Sequence, residues 1–142
     1  MNNLINKAIK HLIKDKKLKL LINKNKKPFF EENNNYYHAL SKSIIYQQLS
    51  GKVAKIIYNR FLDLFNNKQP KANIFITIDD SKLKEIGLSR QKISYLKDLS
   101  DYFLNKGKSI DFKSLSEKEI RNELIKIKGI GNWTIDMFLI FT

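Results

Sequence analysis

Apolar residues recur along this chain at spacings of three and four, almost never in strict alternation, a pattern that predicts helices from end to end. Leu4, Ile5, Ala8, Ile9, Leu12 and Ile13 form one stripe of a helix running from Leu4 to Ile22, with lysines on its other face. The run Asn23 to Pro28 reads as a polar linker closed by a helix-resisting proline. A second helix starts at Tyr36, with Ala39, Leu40, Ser43, Ile44 and Gln47 on one side, and breaks at Gln47-Gln48-Leu49-Ser50. Ser50 is a good N-cap for a third helix from Gly51, whose buried face the pattern assigns to Val53, Ile56, Ile57, Phe61, Leu64 and Phe65.

Further along, Asn66 to Lys71 is a loop carrying Pro70. Ile74 to Ile78 has strand-like composition, but a lone strand has no partner, so an extended or one-turn segment is expected. A short helix from Asp80 to Ile86 stops at Gly87. Ser89 can cap the next, in which Ile93, Leu96, Leu99 or Ser100, and Phe103 form the buried stripe, and Gly107 closes that region. Ser116-Glu117-Lys118-Glu119 is a capping box opening a helix through Ile120, Leu124 and Ile127. The expected architecture is all-α, with a basic helix and linker over 1–35 and a domain over 36–142.

The last apolar segment follows Gly129-Ile130-Gly131 and stops on Phe138-Leu139-Ile140-Phe141-Thr142, without a cap, a glycine or a polar tail. The expectation is therefore a truncated reading, in which the apolar side of Met137 to Phe141 packs against later helices. A glycine on each side of Ile130 suits a tight helix–helix turn and lets phosphate approach the backbone. The open N–H groups from Asn132 onward then face the anion, with the helix dipole behind them. Ile130 anchors the turn, and Lys126 and Lys128 add cationic steering.

Composition narrows the function classes. The 142 residues, 42% of them hydrophobic, suffice for one domain with a core. With no cysteine, a disulfide framework, a thiolate metal site, an iron–sulfur cluster and thiol catalysis are excluded. His11 and His38 lack metal-ligand spacing, and no apolar run reaches membrane-spanning length, so a soluble, cytoplasmic protein is expected, with no cofactor and no membrane partner. A formal charge of +13 points to a polyanion. Only Arg60, Arg90 and Arg121 are arginine among 27 basic residues, and such a Lys/Asn/Ile bias also follows from an AT-rich genome. Charge alone therefore leaves nucleic acid and codon drift both open.

Three ordered segments go further: Tyr37 to Ser50 (YHALSKSIIYQQLS), Gly87 to Leu99 (GLSRQKISYLKDL) and Leu124 to Thr134 (LIKIKGIGNWT). Together they resemble the helix-hairpin-helix DNA glycosylase superfamily, in the branch that removes 3-methyladenine and other alkylated bases. The resemblance covers Tyr36 to Thr142 and implies the all-helical glycosylase fold. It also implies duplex DNA with damaged bases as partner, and extrusion of the damaged nucleotide before its N-glycosidic bond is cut. The hairpin residues Lys126, Lys128, Gly129, Ile130, Gly131, Asn132 and Thr134 would meet the DNA backbone, and the hairpin carbonyls are a candidate site for a monovalent cation.

By the same resemblance the turn Gln47-Gln48-Leu49-Ser50 plugs the hole left in the base stack. Gln48 is the first candidate for that wedge and Leu49 the second; otherwise Leu49 is core and the glutamines ordinary surface. Trp133 either stacks on a cationic alkylated base in the pocket or belongs to the core. Relatives that also cleave the strand carry lysine at this position, so tryptophan implies a monofunctional, water-using enzyme. The family's catalytic aspartate would fall about ten residues beyond Thr142, acting as carboxylates do in glycoside hydrolysis. Asp136, Asp79 and Asp80 do not occupy that place. Two alternatives stay open: a non-catalytic hairpin module that binds DNA, and a lysine-rich protein that binds RNA or the ribosome through charge.

Overall fold

A computed structural model of the chain describes residues 2–28, 34–66 and 68–142. The end of the expected linker region (29–33) and Asn67 of the expected loop lie outside these. Helices α1 (Asn2–Leu12) and α2 (Lys16–Lys24) belong to one compact unit. The second unit holds α3 (Tyr36–Tyr46), α4 (Gly51–Asp63), α5 (Ala72–Phe75), α6 (Asp80–Glu85), α7 (Arg90–Leu104), a 3-10 turn (Lys106–Ser109), α8 (Glu117–Leu124) and α9 (Asn132–Phe141). Among the described residues there is no strand, and no helix is long and apolar enough to cross a membrane.

The single helix expected from Leu4 to Ile22 is two. Asp15 turns its carboxylate onto the amides of Lys17 at 2.7 Å and Leu18 at 3.0 Å and starts α2 afresh. A carboxylate at an N-cap satisfies two orphan donors, which a continuous helix would have left it no occasion to do.

In the second unit α7 is the spine, with α3 and α5 packed on it. Leu40, Ile44, Ile45, Phe61, Phe75, Leu83, Leu96, Leu99, Leu124 and Ile135 are fully buried. Removing one of the buried phenylalanines to alanine would cost about 3–5 kcal/mol. The polar atoms of this core are paired: the Tyr37 hydroxyl meets Ser100 Oγ at 2.8 Å, and Ser100 donates to the Leu96 carbonyl at 2.7 Å. Burial pushes the Tyr37 hydroxyl up to about 12, against the lowering effect of its serine partners.

Two buried faces differ from the apolar pattern. On α3 they are Tyr37, Leu40, Ser41, Ile44 and Ile45, with Ala39 and Ser43 half-buried. On α4 the core takes Ala54, Tyr58 and Phe61, while Val53 and Ile56 stay 45% and 46% exposed. Tyr58 stacks on His38 and meets Tyr46 of α3 edge-on, and that ring area outweighs the β-branched residues.

Ile74 to Ile78 resolves as the one-turn helix α5 and its exit, with Phe75 fully buried. After α6 the chain closes in a Schellman turn: Gly87 has φ +102°, its N–H reaches the Lys84 carbonyl at 2.9 Å, and the Leu88 N–H reaches the Leu83 carbonyl at 3.2 Å. The capping box forms at Ser116 and Glu119. Helix α8 ends at Leu124, earlier than the apolar spacing suggested, and Ile127 is buried from the turn beyond it. Ring contacts of 5.0 to 6.2 Å join Tyr36, Phe103, Phe112 and Phe138, which fixes α9 against α3 and α7.

Candidate nucleic-acid interface

The hairpin between α8 and α9 is a set of short backbone closures. Ile127 N–H bonds to the Leu124 carbonyl and Ile130 N–H to the Ile127 carbonyl, both at 3.1 Å. Ile127 and Ile130 are buried and pin the turn from below. Gly129 has φ +82°, a conformation that L side chains rarely adopt. It also lies against the Tyr95 ring, where a Cβ would come within 2.2 Å of a ring carbon.

The second glycine has a different job from the one expected. Gly131 is extended (φ −103°, ψ 175°), so the turn does not need its conformational freedom. It is the N-cap of α9 without a side-chain cap, and nothing lies within 4 Å of where its Cβ would be. The first-turn amides of α9, from the exposed Asn132 onward, therefore open toward solvent with no competing side chain. That geometry takes an anion.

The steering lysines separate. Lys126 pairs with Glu123 at 2.6 Å, an exposed pair worth little to stability. Lys128 holds its backbone N–H to Asp98 at 2.8 Å and leaves its side chain exposed, without an ion-pair partner among the described residues. Asp98 of α7 thus braces the hairpin from the side.

The turn between α3 and α4 stands beside the hairpin and is tied to it. Gln47 donates its amide to the Gly129 carbonyl at 2.8 Å and, more loosely, to Thr134 Oγ1 at 3.5 Å. The side chains of Gln47 and the buried Thr134, both expected on the DNA, join the two elements from within. Gln48 is exposed and has φ +56°, a left-handed backbone uncommon outside glycine. Its neighbour Leu49 is half-buried, and Ser50 accepts the Val53 amide at 3.5 Å as N-cap of α4. Gln48 is thus the exposed tip of the turn.

Lys92 completes this arrangement, and sequence reasoning gave it no role. Its ammonium donates to the Ile45 carbonyl at 2.6 Å, in the last turn of α3. Desolvation in that half-buried position lowers its pKa. A cleft of about 330 Å³ opens between Gln47-Gln48, the Gln91 to Tyr95 stretch of α7 and the hairpin. Only a lysine inside an otherwise apolar helix face hinted at it; the partner lies 47 residues away.

Trp133 is 67% exposed, so it is not a core residue. Between the hairpin and Thr142 the sequence has one carboxylate, Asp136, which is ion-paired to Arg121 of α8. Asp80 pairs with Lys97 at 2.5 Å on another face of α7. His38 is half-buried against the Tyr58 hydroxyl, and desolvation, aided by Lys42, lowers its pKa. Among the described residues no three His, Cys, Asp or Glu side chains could share a metal. Of the hairpin carbonyls, those of Ile127 and Gly129 accept hydrogen bonds, each through one of its two lone pairs.

A glycine hairpin with open helix amides, beside an exposed left-handed turn, has the geometry of a helix-hairpin-helix. Comparison with known proteins agrees. Residues 41–132 match the model of the HhH-GPD superfamily of base excision DNA repair proteins, and the chain belongs to that family. It is 34% identical over 109 residues to DNA-3-methyladenine glycosylase 1 of Schizosaccharomyces pombe, covering 75% of this chain and 48% of that protein. To the DNA-3-methyladenine glycosylase of Saccharomyces cerevisiae it is 36% identical over 115 residues, 74% of this chain and 38% of the relative.

Among solved structures, a DNA-3-methyladenine glycosidase from Bacillus halodurans superimposes with a TM-score of 0.76 at 29% identity, over 94% of this chain and 63% of that one. The S. pombe 3-methyladenine DNA glycosylase in complex with abasic DNA gives 0.72 at 32%, over 93% and 63%. The structural likeness reaches into the N-terminal segment, beyond the stretch from Tyr36 on which the sequence resemblance rests. The chain spans about half or less of the length of these two yeast relatives.

Proposed function

We propose that the chain acts in alkylation repair as the DNA grip and base-extruding part of a 3-methyladenine-type DNA glycosylase, at work in the cytoplasm on chromosomal DNA. The observation that carries this reading is the coupling of two elements: an uncapped glycine hairpin that suits phosphate, and a neighbouring turn that projects Gln48. The hairpin holds the backbone of the duplex while Gln48, backed by Leu49, enters the stack in place of the flipped nucleotide. Residues 36–142 carry this machinery, and 1–35 form a basic attachment.

Trp133, exposed at the start of α9, suits stacking on a base made cationic by alkylation. The positive charge on such a base weakens its own glycosidic bond, because the base leaves neutral without first being protonated. Water then adds at the anomeric carbon, and a carboxylate stabilises the sugar cation and takes the water's proton. Asp136 has its carboxylate engaged by Arg121 of α8.

A second reading has this pairing in its favour: a hairpin module that binds damaged DNA without cutting the glycosidic bond. One assay separates the two. The 142-residue polypeptide is incubated with methylated duplex DNA at low salt, and free 3-methyladenine is measured by chromatography. Base release above the spontaneous rate refutes the non-catalytic reading; tight binding without release supports it; absence of DNA binding overturns both.

A further inference from the structure

We infer that Lys92 is a positioning residue for the wedge: its ammonium, bonded to the Ile45 carbonyl, holds the end of α3 so that Gln48 projects into the duplex. The inference rests on the proposed role of Gln48 and adds the device that sets it. A turn that enters a base stack must resist being pushed back. Two fixed points lie just ahead of Gln48 in the chain. Gln47 is latched to the hairpin through the Gly129 carbonyl at 2.8 Å. Two residues earlier, the carbonyl of Ile45 is one of the four at the C-terminal end of α3 that no helical amide reaches. Lys92 supplies the missing donor at 2.6 Å.

The residue comes from α7, whose Tyr95 ring also packs on Gly129 three residues along the same helix. One rigid helix face therefore sets both the height of the wedge turn and the seat of the hairpin. The ammonium is a better choice than a neutral donor because it also meets the negative end of the α3 dipole. Gln48 is held in a left-handed conformation at φ +56° and makes no side-chain hydrogen bond among the described residues; its direction comes from these neighbours.

The 142-residue chains tested by fluorescence anisotropy, on an intact duplex and on one with a central abasic analogue, separate positioning from mere stability. Wild type is expected to prefer the abasic duplex, whose hole the wedge can fill. Lys92→Met should cut that preference roughly tenfold, the worth of one charge-assisted hydrogen bond, while binding to the intact duplex stays within about twofold. Lys92→Arg, which keeps a cationic donor, should restore most of the preference. Where Lys92→Met does not fold, Lys92→Gln is used in the same comparison. Amide hydrogen exchange should quicken at Gln48 and Leu49 alone.

An unchanged preference in Lys92→Met overturns the inference and leaves the proposed function standing. An equal loss on both duplexes, or faster exchange throughout α3 and α7, also overturns it by showing a general structural role. A wild-type chain that binds both duplexes equally overturns the reading of Gln48, and this inference with it.

Discussion

Alanine at Gly129 tests whether the hairpin is built as described. The substitution forces an L side chain into φ +82°, which costs about 1–2 kcal/mol. It also puts a Cβ 2.2 Å from the Tyr95 ring, and pushing a packed ring aside costs about 1–3 kcal/mol more. The sum is roughly 2–5 kcal/mol; at about 3–4 °C per kcal/mol for a domain of this size, the Tm should fall by about 6–20 °C. Thermal melts followed by circular dichroism read this directly. Gly131→Ala is the control: the backbone is extended and the space open, so its cost should stay within about 1 kcal/mol. The double variant Tyr95→Ala/Gly129→Ala should relieve the clash and keep the backbone strain, giving a coupling of about 1–3 kcal/mol. A Gly129→Ala protein that melts with wild type, or a Gly131→Ala protein equally damaged, would refute the reasoning.

Other outcomes follow from the same structure. Ser116→Ala removes the hydroxyl half of the capping box and leaves the backbone N–H of residue 116 on the Glu119 carboxylate, and should cost about 1 kcal/mol in a melt; no change would mean that α8 is held by packing alone. Gly131→Asp sets an anion beside the open amides of α9, and should abolish DNA binding while leaving the Tm near that of wild type; retained binding would instead favour a lysine-rich chain acting through charge. The pKa of His38 is lowered in the folded chain by desolvation, then by Lys42, so the unfolded chain binds its proton more readily. Its contribution is therefore present above the ordinary histidine value of 6.5 and is lost as pH falls through the lower folded value. Wild type should lose more stability than His38→Gln between pH 7.5 and 5.5, and parallel losses would contradict this. Trp133→Ala should barely move the Tm, because the ring is 67% exposed, yet weaken discrimination for methylated over plain duplex.

Local signals in the chain were legible and long-range ones were not. Ser50, Ser89 and the Ser116–Glu119 box each mark a helix start, because a cap acts within three residues of itself. Gly87 marks a helix end for the same reason. The apolar pattern located α4 and the buried Phe61 and Phe65, but misplaced Val53 and Ile56, since it counts them as more apolar than Ala54 and Tyr58 and knows nothing of the space available. Asp15 was readable in principle as a cap, and the continuing leucines masked it. At the site, Gln48 and the hairpin stood out by resemblance. The residues that hold them did not: Gln47 meets Gly129 across 82 residues and Lys92 meets Ile45 across 47. Such contacts exist only once α3, α7 and the hairpin are packed together.

The most direct test of the central claim, that hairpin and wedge act together on damaged duplex DNA, is the affinity ratio of the 142-residue chain for abasic over intact duplex, measured across a salt series with wild type and Gln48→Ala. The account predicts a wild-type preference that Gln48→Ala removes, with both proteins sharing the same salt slope, because the hairpin's phosphate contacts are untouched. Equal affinity of wild type for the two duplexes, or a preference that survives Gln48→Ala, would contradict it.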